Sequence, residues 1–153
     1  MKRGIQFELP NEYGTFLGDI LKPIDLPAFI WQIGSGESYK EINNETVPLF
    51  PEGERVMEGN AFKRTVNSGD YYIIFAELQA FPKGRTAEIR TYEEFLRSDC
   101  ELVLLVADSC YATIYCKDQD NLELLYKHAH NCGFTNVDYV TDENDTRTRL
   151  SVW

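Results

Sequence analysis

Cys110, Cys116, His128 and Cys132 follow one another as C-x5-C-x11-H-x3-C. Thiolates and imidazoles are the ligands of structural zinc. Residues six apart on a strand face the same side, and residues four apart on a helix are neighbours. A strand pair facing a helix pair is therefore one way to assemble a Cys/His site. Two features count against it: the x5 spacing is wider than an ordinary ligand pair, and it sets Cys110 and Cys116 at opposite ends of one strand. Cysteine also packs readily as a small hydrophobe. The spacing thus favours no metal over buried free thiols, and it names no cofactor.

Nucleophilic or acid–base chemistry has fewer supports. His128 and His130 are the only histidines, and helical spacing puts them on opposite flanks of one apolar stripe, with no partnered nucleophile in view. Cys132, the nearest thiol, falls at a helix C-terminus, where the dipole raises a thiol pKa. Gly34-Ser35-Gly36 matches neither the dinucleotide fingerprint nor the phosphate loop nor the nucleophile elbow, and reads as a tight turn after a strand. The carboxylate clusters Glu52/Glu54/Glu58 and Asp142/Glu143/Asp145 read as solvated turn charge, without a calcium-loop pattern. Among the aromatics, Trp31, Tyr39, Tyr71, Tyr72, Tyr111 and Trp153 are candidates for a pocket or interface wall. Trp153, beside Arg147 and Arg149, is the candidate for packing on a partner subunit.

Elements to position these residues are legible along most of the chain. Residues 3–9 alternate as a half-buried strand, Asn11 offers a helix cap, and Tyr13, Phe16, Leu17, Ile20 and Leu21 recur at helical spacing to about Lys22. Residues 28–33 and 71–81 read as strands, the second turning Glu77 and Gln79 toward water. Thr91 caps a short helix ahead of Glu93-Glu94. Residues 102–107 read as a buried strand, and 111–116 as its partner across an Asp108-Ser109 turn. Asp118 caps the clearest helix, whose stripe Leu122, Leu125, Tyr126 and Ala129 ends at Gly133. Residues 134–141 and 146–152 read as a hairpin. Between 34 and 70, glycine, proline and polar residues predict short, broken structure, with 61–66 as a candidate edge strand. So long a loop within a domain points to a working surface.

The fold class expected is α+β: a mixed or mostly antiparallel sheet with two main helices packed on it as a two-layer sandwich, in one domain over 1–153. Runs 4–33 and 111–141 share a strand–helix–strand arrangement of the split βαβ kind.

Composition narrows the function classes. The 153 residues carry 15 Lys and Arg against 25 Asp and Glu, a formal net charge of −10. That balance argues against nucleic acid and anionic membrane surfaces, and fits a basic protein partner or simple solubility. The start, Met1-Lys2-Arg3, lacks the apolar stretch of a signal peptide, and the longest apolar run, 102–107, is too short to span a bilayer. A cytoplasmic protein with reduced cysteines is expected.

The opening Met1-Lys2-Arg3-Gly4-Ile5-Gln6-Phe7-Glu8-Leu9-Pro10-Asn11-Glu12-Tyr13-Gly14 resembles the start of a small uncharacterised family of Bacillus-type bacteria, a domain of unknown function of similar length. The resemblance implies a bacterial cytosolic protein and supplies no catalytic or binding residues. The function expected is therefore that of a non-enzymatic acidic binding or regulatory protein working through protein–protein contact or self-association. The alternatives are an enzyme or small-ligand-binding protein with a pocket built from 34–70 and neighbouring strands, and a zinc-stabilised domain.

Overall fold

The computed structural model describes residues 1–53 and 55–152. Glu54, assigned above to turn charge, and Trp153, assigned to partner packing, lie outside the described residues.

Nine strands form an antiparallel sheet: β1 (Lys2–Glu8), β2 (Phe29–Ile33), β3 (Glu37–Ile42), β4 (Glu45–Pro48), β5 (Val56–Glu58), β6 (Tyr71–Pro82), β7 (Leu102–Ala107), β8 (Tyr111–Cys116) and β9 (Thr135–Thr141). Among the described residues, four α-helices join them: α1 (Phe16–Ile20), α2 (Gly59–Asn67), α3 (Tyr92–Arg97) and α4 (Gln119–Asn131). The main order is β4-β3-β6-β7-β8-β1-β9, with β2 between β5 and β6 off that path. The fold is thus α+β with a mostly antiparallel sheet, as the sequence implies.

Both faces of the sheet carry apolar packing because the central strands are apolar on both sides. Along β7, Leu102, Leu104 and Val106 enter the larger core, while Val103 and Leu105 enter a smaller one behind the sheet. Helices α1, α2 and α4 supply Leu17, Phe62 and Leu122 to the larger core. Helix α3 supplies Phe95 to the smaller, together with Ile89 and Leu150 from extended segments.

β1 lies between β8 and β9 and is antiparallel to both, so β8 and β9 run parallel with β1 inserted between them. Helix α4 crosses over β1 to make this connection, the split βαβ arrangement read from 111–141. Its caps are those expected: Asp118 accepts from the Asn121 N–H at 3.0 Å, and Gly133 has φ +81°. Thr91 likewise accepts from the Glu94 N–H at 3.1 Å.

Several local expectations are corrected. Residues 61–66 are helix, not edge strand: Phe62 and Val66, four apart, both enter the larger core from α2, and the Phe62 ring stacks on Trp31 at 4.1 Å. Asn11 caps nothing. Helix α1 begins at Phe16, and the Asn11 side chain instead accepts from the Tyr72 hydroxyl. The 134–141/146–152 hairpin does not form, because β9 takes β1 as its partner. Residues 148–150 run beside 90–92, with the Tyr92 N–H on Thr148 O and the Leu150 N–H on Arg90 O. That strap also removes Glu77 from open water: Glu77 Oε1 accepts from Ser151 Oγ and the Val152 N–H, each at 3.0 Å.

Candidate functional site

The four zinc candidates separate along α4. Thirteen helical residues extend about 20 Å, with Cys116 just before the first turn and Cys132 just after the last. Cys116 is buried, its thiol directed at Asp118 O at 3.4 Å, and desolvation pushes its pKa up to about 12. Cys110 is half-buried at the far end of β8. His128 and Cys132 do meet, Sγ to Nε2 at 3.4 Å. Among the described residues, no three His, Cys, Asp or Glu side chains are placed to hold a metal.

The His128–Cys132 contact is not a nucleophile and its base. His128 Nε2 lies 2.7 Å from the Asp19 carbonyl, which can only accept, so Nε2 carries a proton. A nitrogen already protonated on that side cannot take the thiol proton. Desolvation moreover raises the Cys132 pKa. His130 stands edge-on to Tyr126 at 4.8 Å, a packing role.

The cleft lies elsewhere, where the sheet forks. β2 and β3 both pair along one edge of the long strand β6: β2 with Leu78 to Pro82, β3 with Tyr71 to Phe75. Gly34-Ser35-Gly36 joins them, so it is not the tight turn expected but a kink within a nearly continuous run. The Gly34 N–H donates to Glu77 O at 2.8 Å. A Cβ on Gly36 would come within 2.6 Å of the Phe75 carbonyl oxygen, which is why this close approach to β6 takes glycine.

Beyond the kink the partners diverge. β4 extends the sheet from β3, and β5 extends it from β2. Residues 49–53 and Arg55 border the gap, held by the Leu49 N–H on Ser38 O at 2.8 Å and the Ile33 N–H on Arg55 O at 2.7 Å. Phe50 anchors this border by stacking on Phe62 at 6.1 Å. The fork encloses a cleft of about 360 Å³, within the size range of ligand sites. Its walls include Tyr39, Pro48, Phe50 and Phe75, and its charged members are Glu37, Glu52 and Glu77 against Arg55. The Tyr39 hydroxyl lies 3.5 Å from Glu37 Oε2, holding ring and carboxylate side by side. The balance of charge favours a cation.

A smaller cleft of about 220 Å³ opens at the start of α4, beside Cys116. Asp118 already caps that helix, and Glu101 adds a second carboxylate. An anion would be repelled there.

The cleft draws most of its lining from the 34–70 stretch, and of the aromatic wall candidates offered by the sequence it takes Tyr39. Phe50, Phe75 and Glu37 carried no signal by themselves. The informative feature was the pair Gly34 and Gly36, whose spacing of two on a strand marks two close approaches on one side rather than a turn.

Comparison with known proteins adds kinship without chemistry. The chain is 48% identical over 155 aligned residues to the Uncharacterized protein YncE of Bacillus subtilis (strain 168), which covers 99% of this chain and 100% of that relative. No solved structure matches significantly. Residues 2–151 match the family described as Protein of unknown function (DUF2691), and the chain belongs to that family, as the resemblance of its first fourteen residues implied.

Proposed function

We propose that this protein is a non-enzymatic binding protein that receives a basic segment of a protein partner in the cleft at the fork of the sheet. The observation carrying this reading is the cleft's lining, in which Glu37, Glu52 and Glu77 face aromatic and proline walls with Arg55 as the cation among them. Such a lining suits lysine and arginine side chains, whose stems pack on rings while their heads meet carboxylates. The net charge of −10 would steer a basic partner toward it from a distance.

The same reading takes residues 1–153 as one domain at work in a reducing cytoplasm. Four free cysteines accord with that compartment, and among the described residues no helix is long and apolar enough to cross a membrane. It also takes the sheet with its broad helical layer as a two-layer sandwich, the strap and α3 closing the back.

Calorimetric titration with a lysine- and arginine-containing peptide tests it. Binding is expected at low salt, weakening as salt screens the rim. The double variant Glu37→Gln/Glu52→Gln is expected to lower affinity roughly fivefold or more. Absence of binding at low salt, or unchanged affinity in the double variant, would end this reading. Titration with a small diamine in parallel addresses the small-ligand alternative, since a cleft of about 360 Å³ also admits such a molecule.

A further inference from the structure

The cleft does not stop at Tyr39. Cross-strand register places Pro48 opposite Tyr39 on one side and Tyr72 opposite Tyr39 on the other. The bridge between Gly14 and Tyr71 then brings Tyr13 alongside Tyr72, with ring centroids 5.5 Å apart. Directly opposed residues share a face of a sheet. Pro48, Tyr39, Tyr72 and Tyr13 therefore form one row across four neighbouring segments, about 14 Å long at the usual strand spacing. Tyr71, the next residue along β6, points the other way, its hydroxyl taken by the Leu17 N–H and Val66 O.

This row is exposed enough to be touched and held enough to be rigid. Pro48 is exposed, Tyr39 and Tyr72 are half-buried, and Tyr13 is 48% exposed. The Tyr72 hydroxyl is tied to Asn11, and the Tyr39 hydroxyl lies beside Glu37. Pro48 also decides how a partner can approach. It lies on β4, the last strand of the sheet at this end, and it lacks the outward N–H that an added strand would need. Contact must come from above the face, through rings.

We propose that this row, continuous with the acidic cleft through Tyr39 and Pro48, is a track for a proline-rich segment in polyproline II conformation that carries basic residues. Flat tyrosine faces are the surface on which that helix docks, and it asks for no strand edge. At about 3.1 Å per residue, the row seats roughly five residues of it. Glu37 and Glu52 at the cleft end then meet the basic residues. The proposal rests on the cleft reading above and names the kind of segment that reading leaves open.

Three peptides separate the two: a basic proline-rich peptide, one of equal charge with serine and glycine replacing the prolines, and a neutral proline-rich peptide. Titration of the intact protein is expected to rank the basic proline-rich peptide about tenfold tighter than its serine–glycine counterpart. Tyr39→Ala/Tyr72→Ala is expected to erase that preference, and Tyr72→Phe, which keeps the ring, to retain it. Thermal melts establish that each variant is folded. Equal affinities for the two basic peptides in the wild type would overturn the track while leaving the cleft reading intact. Sedimentation provides a separate check, since a dimer that dissociates in Tyr39→Ala would assign the row to a second copy and overturn the proposal as well.

Discussion

The two ends of the sheet are finished in opposite ways. At the β9 end, backbone groups of Tyr139 and Thr141 are taken by the protein's own side chains: Asp138 Oδ1 accepts the Tyr139 N–H at 2.8 Å, Asn144 Nδ2 donates to Tyr139 O at 2.9 Å, and Asn144 Oδ1 accepts the Thr141 N–H at 2.8 Å. One asparagine thus stands in for part of a missing strand. Lys2 is stacked on Tyr139 and paired with Glu123, which also accepts the Tyr139 hydroxyl. At the other end, β4 blocks strand addition with a proline and the sheet splits around an acidic cleft. An edge partly satisfied from within offers less to a partner, whereas the fork leaves the Glu37 and Glu52 carboxylates exposed. The binding reading proposed above therefore assigns contact to the fork rather than to the β9 edge.

The largest expected effect tests whether the fork is a separate unit or part of the common core. Trp31 is fully buried, stacks on Phe62, and donates its indole N–H to Leu26 O at 3.1 Å. Trp31→Ala is expected to lower stability by about 3–5 kcal/mol, from lost packing and an unfilled cavity. Urea unfolding measures it. If the fork is continuous with the core, amide exchange should rise at both ends together. Exchange rising only in β2, β3 and β5 would show the fork to be a separable unit.

How much of this could be read from the chain depends on how local the cause is. β6, β7, β8 and α4 were legible because their apolar pattern is set within each element, and the caps at Thr91 and Asp118 announce themselves. Helix α2 was not, because Phe62 and Val66 are the large side chains of a buried face otherwise made by Gly59, and two large residues four apart make too short a stripe to overrule turn-rich neighbours. Nor was the two-residue hairpin turn Asn43-Asn44, with φ of +53° and +66°, read from its paired asparagines. The cleft depends on β2 and β3 sharing one edge of β6, a fact of pairing over roughly forty residues that no local pattern holds. The Cys/His quartet failed to assemble for the converse reason: spacing fixes which side a residue faces, not how far α4 carries one pair from the other.

A moderate effect sharpens the comparison at the β9 end. Asp118→Ala removes the cap of α4, the helix that spans β8 to β9, and is expected to lower stability by about 1 kcal/mol. Cleft titrations should be unchanged, since Asp118 lies outside the fork. A variant that weakened peptide binding while still folded would break the proposed separation of the binding fork from the β9 end. Thiol labelling gives a parallel reading of this region. Exposed Cys132 should react first in the folded protein, while Cys116 and Cys100, both buried and raised to about 12, should react only on unfolding.

The smallest effect concerns acid. Hydrogen bonding to Lys2 and Tyr139 lowers the Glu123 pKa, and hydrogen bonding to Arg3 lowers that of Asp142. A carboxylate whose folded pKa is depressed contributes stability above its unfolded value, near 4.5 for Glu123 and 3.8 for Asp142, and loses that contribution as pH falls through the folded value. Both groups are at the β9 end and both are solvent-exposed, so the loss should be small and largely suppressed by salt. Amide protection along β9, taken relative to the intrinsic exchange rate at each pH, is therefore expected to fall slightly below about pH 4 at low ionic strength and to fall less at high salt. A loss of protection that salt leaves unchanged would show that the β9 edge is not held by these ion pairs, and would shift the weight to the Asn144 side chain that bonds Tyr139 O and the Thr141 N–H.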